Sequence, residues 1–411
     1  MITRTPFRLL IACAGILLAS LAAPEEGAGR ASTGRPGPMS LAVRVFDGGR
    51  FVSDLTLKDF EVLEGGMTVS PEALYLVRKD RIERQEGGAE APPDVSRTIL
   101  LLFQLQEYHS KIPEALDFLF REELVPGDTL EIQTPMRNYR LTSEALATRP
   151  RAELAKELTE IVKKDIIRGG MAYNSVLRHL RRFVLQIGGV GQTGLGDTEG
   201  EFDDGLSLEH LLTQYAENLE KMEALRAVDG QKLIGFARTM KAAPGRTSVF
   251  YVYQREFRPE INSQKLDFLV IENQDRPDIQ ASVQSLFQMY HRAIYLDPRK
   301  IREAFADSGM SFHFLFMNRS PERISGIVMR EQSEDIFKAL TSAAEATGGD
   351  SNTSQNPAAS LKSTMKAAEA YYLLTYSPAT AAAPGTFIDL AVKVKGRDVK
   401  VLHRSGYLAG S

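Results

Sequence analysis

The stretch RTILLLFQLQEYHSK, residues 97 to 111, places hydrogen-bonding side chains directly after a predicted buried strand. Residues 98 to 103 are apolar or β-favouring, which is typical of a strand inside a sheet. Gln104, Gln106, Glu107 and Tyr108 follow at once and could contact a ligand through amide, carboxylate and phenol groups. Because open α/β sheets receive ligands where their strands end, these four residues are the first candidate site.

A second group of residues could hold a cation. Its oxygen ligands would come from Asp197, Glu199, Glu201, Asp203 and Asp204. A twelve-residue calcium loop needs glycine at its sixth position and glutamate at its twelfth, where this segment has Phe202 and Leu208. We therefore interpret residues 188 to 205 as an unstructured acidic insertion.

Histidine and nucleophile chemistry is not indicated by any spacing. The six histidines show no metal-binding pair, and His313 is predicted to be a satisfied core residue. The sequence has neither the Gly-x-Ser-x-Gly turn of hydrolases nor a phosphate-binding Gly-Lys-Thr loop. The only cysteine, Cys13, precedes the predicted mature chain. We expect no enzyme activity and no cofactor.

The elements that must position the candidate site alternate between strands and helices. Residues 97–103, 244–254 and 311–318 contain runs that are apolar on both faces, and helical patterns lie between them. One helix is predicted to begin at Pro298 after Asp297, and another to run from 208 to 240 with a kink near Gly230. This rhythm predicts a mostly parallel sheet covered by helices on both faces.

Both ends of the chain read as β segments. We place an N-terminal β segment at 40–95, whose last part (83–94) resembles a linker, and a C-terminal β segment at 360–411. Neither is large enough for a stable sheet alone, so we expect the two segments to pair into a small β module. The α/β domain between them is predicted to span 97–350.

The first residues indicate export. Arg4 and Arg8 precede an apolar run, and Ala22 offers a cleavage point, which predicts a signal peptide at 1–22 followed by a flexible leader at 23–39. A short membrane anchor and lipid attachment at Cys13 are the alternatives. The mature chain is expected in the periplasm, at the cell surface or secreted, without a membrane span. Its net charge of −3 disfavours nucleic acid as a partner.

Five motifs in order resemble the VWFA-related proteins described from Acidobacteria. They are GRFVSDLTLKDFEVLEGG, LVPGDTLEI, APGRTSVFYVY, AAEAYYLLTYSP and VKVKGRDVKVLHRSGYLAG, and the resemblance covers about 370 residues. It implies a von Willebrand factor A-like (Rossmann-like) fold. It also implies a metal-ion-dependent adhesion site, in which aspartate, serine and threonine oxygens hold Mg²⁺.

At every ligand position of that adhesion site, the resemblance places a residue that differs from the usual metal ligand. The two aspartates fall on Gln104 and Gln254, the serines on Gln106 and Tyr108, and the threonine on Met171. Neutral amides do not replace anionic ligands for a strongly hydrated dication, so no metal is expected. The implied site would be degenerate.

The sequence therefore predicts an exported, non-catalytic interaction or adhesion module with a protein partner. Its binding face would combine amides, aromatic surface, one carboxylate and one guanidinium, and would consist of Gln104, Gln106, Glu107, Tyr108, Met171, Tyr173, Asn174, Gln254 and Arg255. A degenerate loop surface with the partner bound elsewhere is the alternative for this face. A structural component of a cell-envelope assembly and a hydrolase with an unrecognised site are the alternatives for the function.

Overall fold

The computed structural model describes residues 38–88, 92–188, 207–226, 228–241, 245–290, 296–325, 327–379 and 382–410. The predicted signal peptide lies outside these residues, as do nearly all of the predicted leader and of the acidic insertion. Within the described residues, no helix combines the length and the apolar character needed to cross a membrane. The predicted domain boundaries stay a prediction.

Strands and helices alternate through the middle of the chain, and strands predominate at both ends. The strands are β1 (Met39–Asp47), β2 (Arg50–Phe51), β3 (Phe60–Glu64), β4 (Met67–Val69), β5 (Ala73–Arg78), β6 (Arg81–Gly87), β7 (Arg97–Gln104), β8 (Thr129–Gln133), β9 (Asn138–Leu141), β10 (Arg246–Gln254), β11 (Phe257–Glu260), β12 (Ser311–Met317), β13 (Val328–Glu331), β14 (Ser351–Ser354), β15 (Ala370–Tyr376), β16 (Phe387–Val394), β17 (Lys400–His403) and β18 (Gly406–Leu408). The helices are α1 (Ile112–Phe118), α2 (Ser143–Thr148), α3 (Arg151–Gly169), α4 (Met171–Gly188), α5 (Leu208–Arg226), α6 (Gly230–Lys241), α7 (Ser263–Glu272), α8 (Pro277–Tyr290), α9 (Pro298–Asp307), α10 (Glu334–Ala346) and α11 (Pro357–Ala368). Short 3₁₀ and π-helical turns add Leu57–Asp59 and Leu119–Glu123.

A mixed sheet occupies the middle of the chain, with its strands in the order β14, β12, β10, β7, β8 and β9. Neighbouring strands are parallel except β8 and β9, which are antiparallel. The apolar runs of β7, β10 and β12 are buried on both faces. One face packs on α1, α3 and α11, and the other on α6, α9 and α10.

The strands of the two chain ends form antiparallel sheets. One sheet has the order β17, β1, β15, β5 and β6, with β2 beside β1, and another has the order β18, β16, β3 and β4. Alternation along β16 buries every second side chain, as expected for a strand with one solvent-facing side. The buried side chains of both sheets share one apolar cluster.

The predicted fold class is wrong. The expected α/β, von Willebrand factor A-like, mostly parallel sheet is contradicted, because ten of the fourteen strand pairings among the described residues are antiparallel. The structure is α/β with mixed and antiparallel sheets, and its antiparallel strands curl into a half-barrel. The long apolar runs belong to the parallel strands, whereas the more numerous strands around them are short or amphipathic and have a weaker local signal.

Two local predictions also require correction. Residues 83–94 were expected to be a linker, but β6 (Arg81–Gly87) pairs with β5 along the edge of a sheet. Its alternating charged residues suit an exposed edge strand, because charge there discourages further pairing. The single kinked helix expected over 208–240 is instead two helices, α5 and α6. The helix predicted after Asp297 is confirmed as α9, and the Asp297 carboxylate accepts the Lys300 N–H at 3.2 Å.

Candidate functional site

The candidate residues lie where parallel strands β7 and β10 end side by side. The register of these strands pairs Gln104 with Tyr253, so Gln254 lies one residue beyond the end of the β7 ladder. The segment 104–108 and the segment 254–255 therefore leave the sheet at the same edge. The structure therefore brings together two segments of the predicted face, residues 104–108 and residues 254–255.

Neutral amides fasten the loop after β7. The Gln254 side-chain oxygen accepts the backbone N–H groups of Gln106 at 3.3 Å and Glu107 at 3.2 Å. The Asn174 side-chain amide donates to the Gln106 carbonyl at 2.9 Å. These hydrogen bonds connect β7, β10 and α4. Asn174, which lies on α4, therefore joins residues 104–108 and 254–255 at the same edge. Gln104 ends β7 beside them and is half-buried.

A pair of glycines lets α3 and α4 approach the sheet edge. A Cβ atom at Gly170 would lie 2.1 Å from the Gln106 carbonyl oxygen, and one at Gly169 would lie 2.5 Å from Cβ of Pro135. Real Cβ contacts do not come this close, so only glycine fits at either position without movement of its neighbours. The threonine position implied by the resemblance, Met171, lies just beyond these glycines and exposes 64% of its surface.

A buried polar network lies beneath the loop. Glu256 accepts the Arg226 guanidinium at 3.1 Å, and both residues are buried. Burial raises the pKa of Glu256, and the positive charge of Arg226 only partly offsets this effect. The Gln106 side chain also interacts with Glu256. Gln106 therefore connects the loop to this network as well as to Gln254.

Tyr173 is the least accessible member of the predicted face. It is buried in the first turns of α4, and burial, reinforced by the negative charge of Glu256, raises the pKa of its hydroxyl well above the ordinary value. The hydroxyl oxygen has no hydrogen-bond partner among the described residues. A residue so enclosed supports the face from below and cannot itself contact a partner protein.

The charged rim of the face is paired. Glu107 lies 2.8 Å from the Arg319 guanidinium, and Arg255 lies 3.1 Å from Glu331. Arg255 also lies over the Phe316 ring, 5.4 Å from its centroid. Neither charged residue of the predicted face is therefore left without a counter-charge. The pairs are half-exposed, so they orient the loops more than they stabilise the fold.

The structure adds residues that sequence reasoning missed. Arg226 and Arg319 face the carboxylates of Glu256 and Glu107 at this edge, while Met136 and Ile167 are large apolar residues that are exposed. Consecutive isoleucines at 166 and 167 carry a usable signal, because neighbours on a helix cannot both face one core. The arginines have no such local signal.

The residues at this edge do not suit a divalent cation. Among the described residues, no three His, Cys, Asp or Glu side chains come together as a ligand set. The Gln254 oxygen already accepts two N–H groups, and Glu107 and Glu256 each face an arginine. A hard cation needs anionic oxygens, and the carboxylates of Glu107 and Glu256 are each already paired with an arginine.

The chain matches no protein-family model, no curated protein and no solved structure.

Proposed function

We propose that this chain is an exported, non-catalytic protein-interaction module that binds its partner at the edge formed by the ends of β7 and β10, without a bound cation. The observation that carries the proposal is the Gln254 side chain, which holds the loop after β7 through two hydrogen bonds. A loop positioned in this way does not depend on metal for its shape. It presents Glu107, Tyr108 and Met171 on a prepared surface.

The chemistry of the edge favours binding over catalysis. A general base must be able to take up a proton near its substrate. Glu107 is paired with Arg319, and Glu256 is buried against Arg226. The accessible groups are an aromatic ring, a thioether and amide atoms, which suit protein contact.

The sequence resemblance supports the same proposal. The ordered motifs shared with VWFA-related proteins point to an adhesion-type role, and the predicted signal peptide points to export. The replacement of every implied metal ligand by an uncharged residue points to contact through hydrogen bonding and packing.

Pull-down from an envelope fraction tests the proposal. The full mature chain would be used as bait in buffer with Mg²⁺ or with a chelator, and we expect equal recovery of partner protein in both. Loss of the partner in chelator would contradict metal-free binding.

Two exposed methionines provide a matched test of the surface. Met171 lies at the proposed edge, whereas Met67 lies on β4 in the half-barrel and is also exposed. We expect Met171→Ser to reduce recovery of the partner several-fold and Met67→Ser to leave it unchanged. Equal recovery with both variants would place the partner elsewhere.

A further inference from the structure

An exposed apolar patch borders the proposed edge. Met136 exposes 50% of its surface, Ile167 49% and Met171 64%, and these are three of the seven large hydrophobic residues exposed in the described part of the chain. Scattered exposed hydrophobic residues are normal in a soluble protein, whereas a contiguous group indicates a contact surface.

The three residues are neighbours because α3 is fastened to the loop between β8 and β9. The Asp165 carboxylate accepts the Thr134 hydroxyl at 2.8 Å and the Tyr139 hydroxyl at 2.7 Å. Pro135, which precedes Met136, packs on Gly169. Ile167 and Met171 are four residues apart, and the intervening Gly170 keeps helical dihedral angles, so both side chains lie on the same side.

Four cations surround the patch, namely Arg137, Lys163, Lys164 and Arg168. All four are exposed, and the described residues supply none of them with an ion pair. Lys163 and Ile167 are four residues apart on α3, as are Lys164 and Arg168, so charges and apolar surface share one helix face. The Lys163 ammonium also lies 5.8 Å from the Tyr108 ring centroid, which continues the surface to the loop after β7.

Few carboxylates balance this charge. Asp165 is buried and engaged by Thr134 and Tyr139, and Glu107 is paired with Arg319. Glu160 is the exposed carboxylate near Tyr108, whose pKa is raised by burial and by that charge. A second copy of the chain would bring its own four cations against these four and would be repelled.

We propose that this basic and apolar surface, made of Tyr108, Met136, Arg137, Lys163, Lys164, Ile167, Arg168 and Met171, binds an acidic amphipathic segment of the partner protein. Apolar side chains of that segment cover the two methionines and Ile167, while its carboxylates approach the surrounding cations. The inference rests on the proposed function and specifies the partner chemistry for it. Such anchors in a polar rim are the usual arrangement of a protein interface.

A peptide titration tests the proposal. The probe is a fluorescein-labelled helical peptide of 21 residues with leucine at heptad a and d positions and glutamate on the remaining exposed positions. Its control carries lysine in place of every glutamate. We expect the full mature chain to bind the glutamate peptide saturably in fluorescence anisotropy and to bind the lysine peptide at least tenfold more weakly.

Matched variants locate the binding. The triple variant Lys163→Glu/Lys164→Glu/Arg168→Glu should weaken binding of the glutamate peptide at least tenfold, and Ile167→Ser should weaken it several-fold. The control Lys232→Glu/Lys338→Glu changes exposed lysines on α6 and α10, which cover the opposite face of the mixed sheet, and should have no effect. Equal affinity in both sets of variants would overturn the proposal.

Other occupants give distinct results. Binding of phosphatidylglycerol vesicles but not of the glutamate peptide would assign the surface to an anionic membrane and overturn the proposal. Concentration-dependent dimerisation that Ile167→Ser abolishes would assign it to a second copy and also overturn it. A partner recovered from the envelope fraction equally by the wild type and the triple variant would overturn this inference and leave the proposed function standing. Failure to recover any partner would count against the proposed function itself.

Discussion

At the scale of single residues, Gln254 decides the shape of the loop after β7. Its side-chain oxygen accepts two backbone N–H groups that no other described group accepts. Gln104 ends the neighbouring strand but makes no such hydrogen bond within the described residues. The resemblance places both glutamines at aspartate positions of the adhesion site, yet the two side chains have different structural roles.

Replacing Gln254 by alanine should lower the free energy of unfolding by about 1 kcal/mol, because the partly buried N–H group of Gln106 and the exposed N–H group of Glu107 lose their acceptor. Gln104→Ala should change it by less than about 0.5 kcal/mol. Urea unfolding followed by circular dichroism measures both values, with Mg²⁺ and with a chelator. A dependence of either value on Mg²⁺ would contradict the metal-free loop.

The buried pair of Arg226 and Glu256 should be sensitive to loss of one partner. Arg226→Met leaves a buried carboxylate without its cation and should cost about 3–5 kcal/mol. The double variant Arg226→Met/Glu256→Gln should recover part of this loss, because the uncompensated charge is gone. Chemical denaturation of the single and double variants gives the free energy of interaction between Arg226 and Glu256. A double variant that is less stable than the single one would show that Glu256 is not the main partner.

His313 should make stability depend on pH. Burial, with the positive charges of Arg44 and Arg246, lowers its pKa well below the ordinary value. Its Nδ1 accepts the Asp350 N–H at 3.2 Å, and its Nε2 has no partner among the described residues, so the core residue expected to be satisfied is only half satisfied.

The unfolded chain takes up a proton on His313 below about pH 6.5, whereas the folded chain does not. The free energy of unfolding should therefore fall as pH is lowered through about 6.5, by up to about 1.4 kcal/mol per unit. Because burial also lowers the pKa of His403, the test compares wild type with His313→Asn between pH 7.5 and 5.5. Parallel pH profiles for the two proteins would contradict this role of His313.

At the scale of elements, helix α3 is predictable from its pattern, but its contact with the sheet edge depends on two glycines. Gly170 has helical dihedral angles (φ −78°, ψ −10°), so alanine is acceptable there to the backbone itself. The obstacle is the Gln106 carbonyl oxygen, 2.1 Å from where the Cβ atom would lie.

Gly170→Ala should therefore destabilise the protein by about 1–3 kcal/mol through overpacking. Gly235, inside α6, has nothing within 4 Å of a Cβ atom, so Gly235→Ala should instead stabilise by about 0.5–1 kcal/mol. Thermal denaturation should show a lower melting temperature for Gly170→Ala and a higher one for Gly235→Ala than for the wild type. A neutral Gly170→Ala would mean that the loop after β7 shifts without cost.

At the scale of the whole molecule, residues from both chain ends meet in one row of a sheet. Leu374 on β15 pairs with Leu41 on β1 and with Leu74 on β5, and all three are fully buried. The half-barrel therefore needs residues more than 300 positions apart before its core can close.

Leu374→Ala should lower the free energy of unfolding by about 2–5 kcal/mol, because it leaves a cavity at this meeting point. Lys400→Ala, on the exposed side of β17, should change it by less than about 0.5 kcal/mol. Urea unfolding should keep the same m-value in both variants. A lower m-value for Leu374→Ala would show that the half-barrel unfolds separately from the mixed sheet.

Local pattern predicts individual elements well and their pairing poorly. The apolar runs of β7, β10 and β12 were placed correctly, as was the start of α9 at Pro298. The sequence pattern predicts mostly parallel strands, whereas most strand pairings in the structure are antiparallel. The pattern also predicts a linker where β6 pairs with β5. A charged edge strand has no continuous apolar run. It can therefore be recognised from its pairing with a neighbouring strand, but not from its own sequence.

The sequence by itself determined where buried strands and amphipathic helices lie, because hydrophobic periodicity is a property of consecutive residues. It also determined that β7 and β10 end in glutamines, Gln104 and Gln254, where carboxylates would be needed for a metal. Only the tertiary structure decided that Gln254 holds the neighbouring loop, that Arg226 lies against Glu256, and that Pro135, next to Met136, packs on Gly169 of α3. Each of these contacts joins residues from separate elements, and their proximity depends on strand order and packing, which no local pattern encodes.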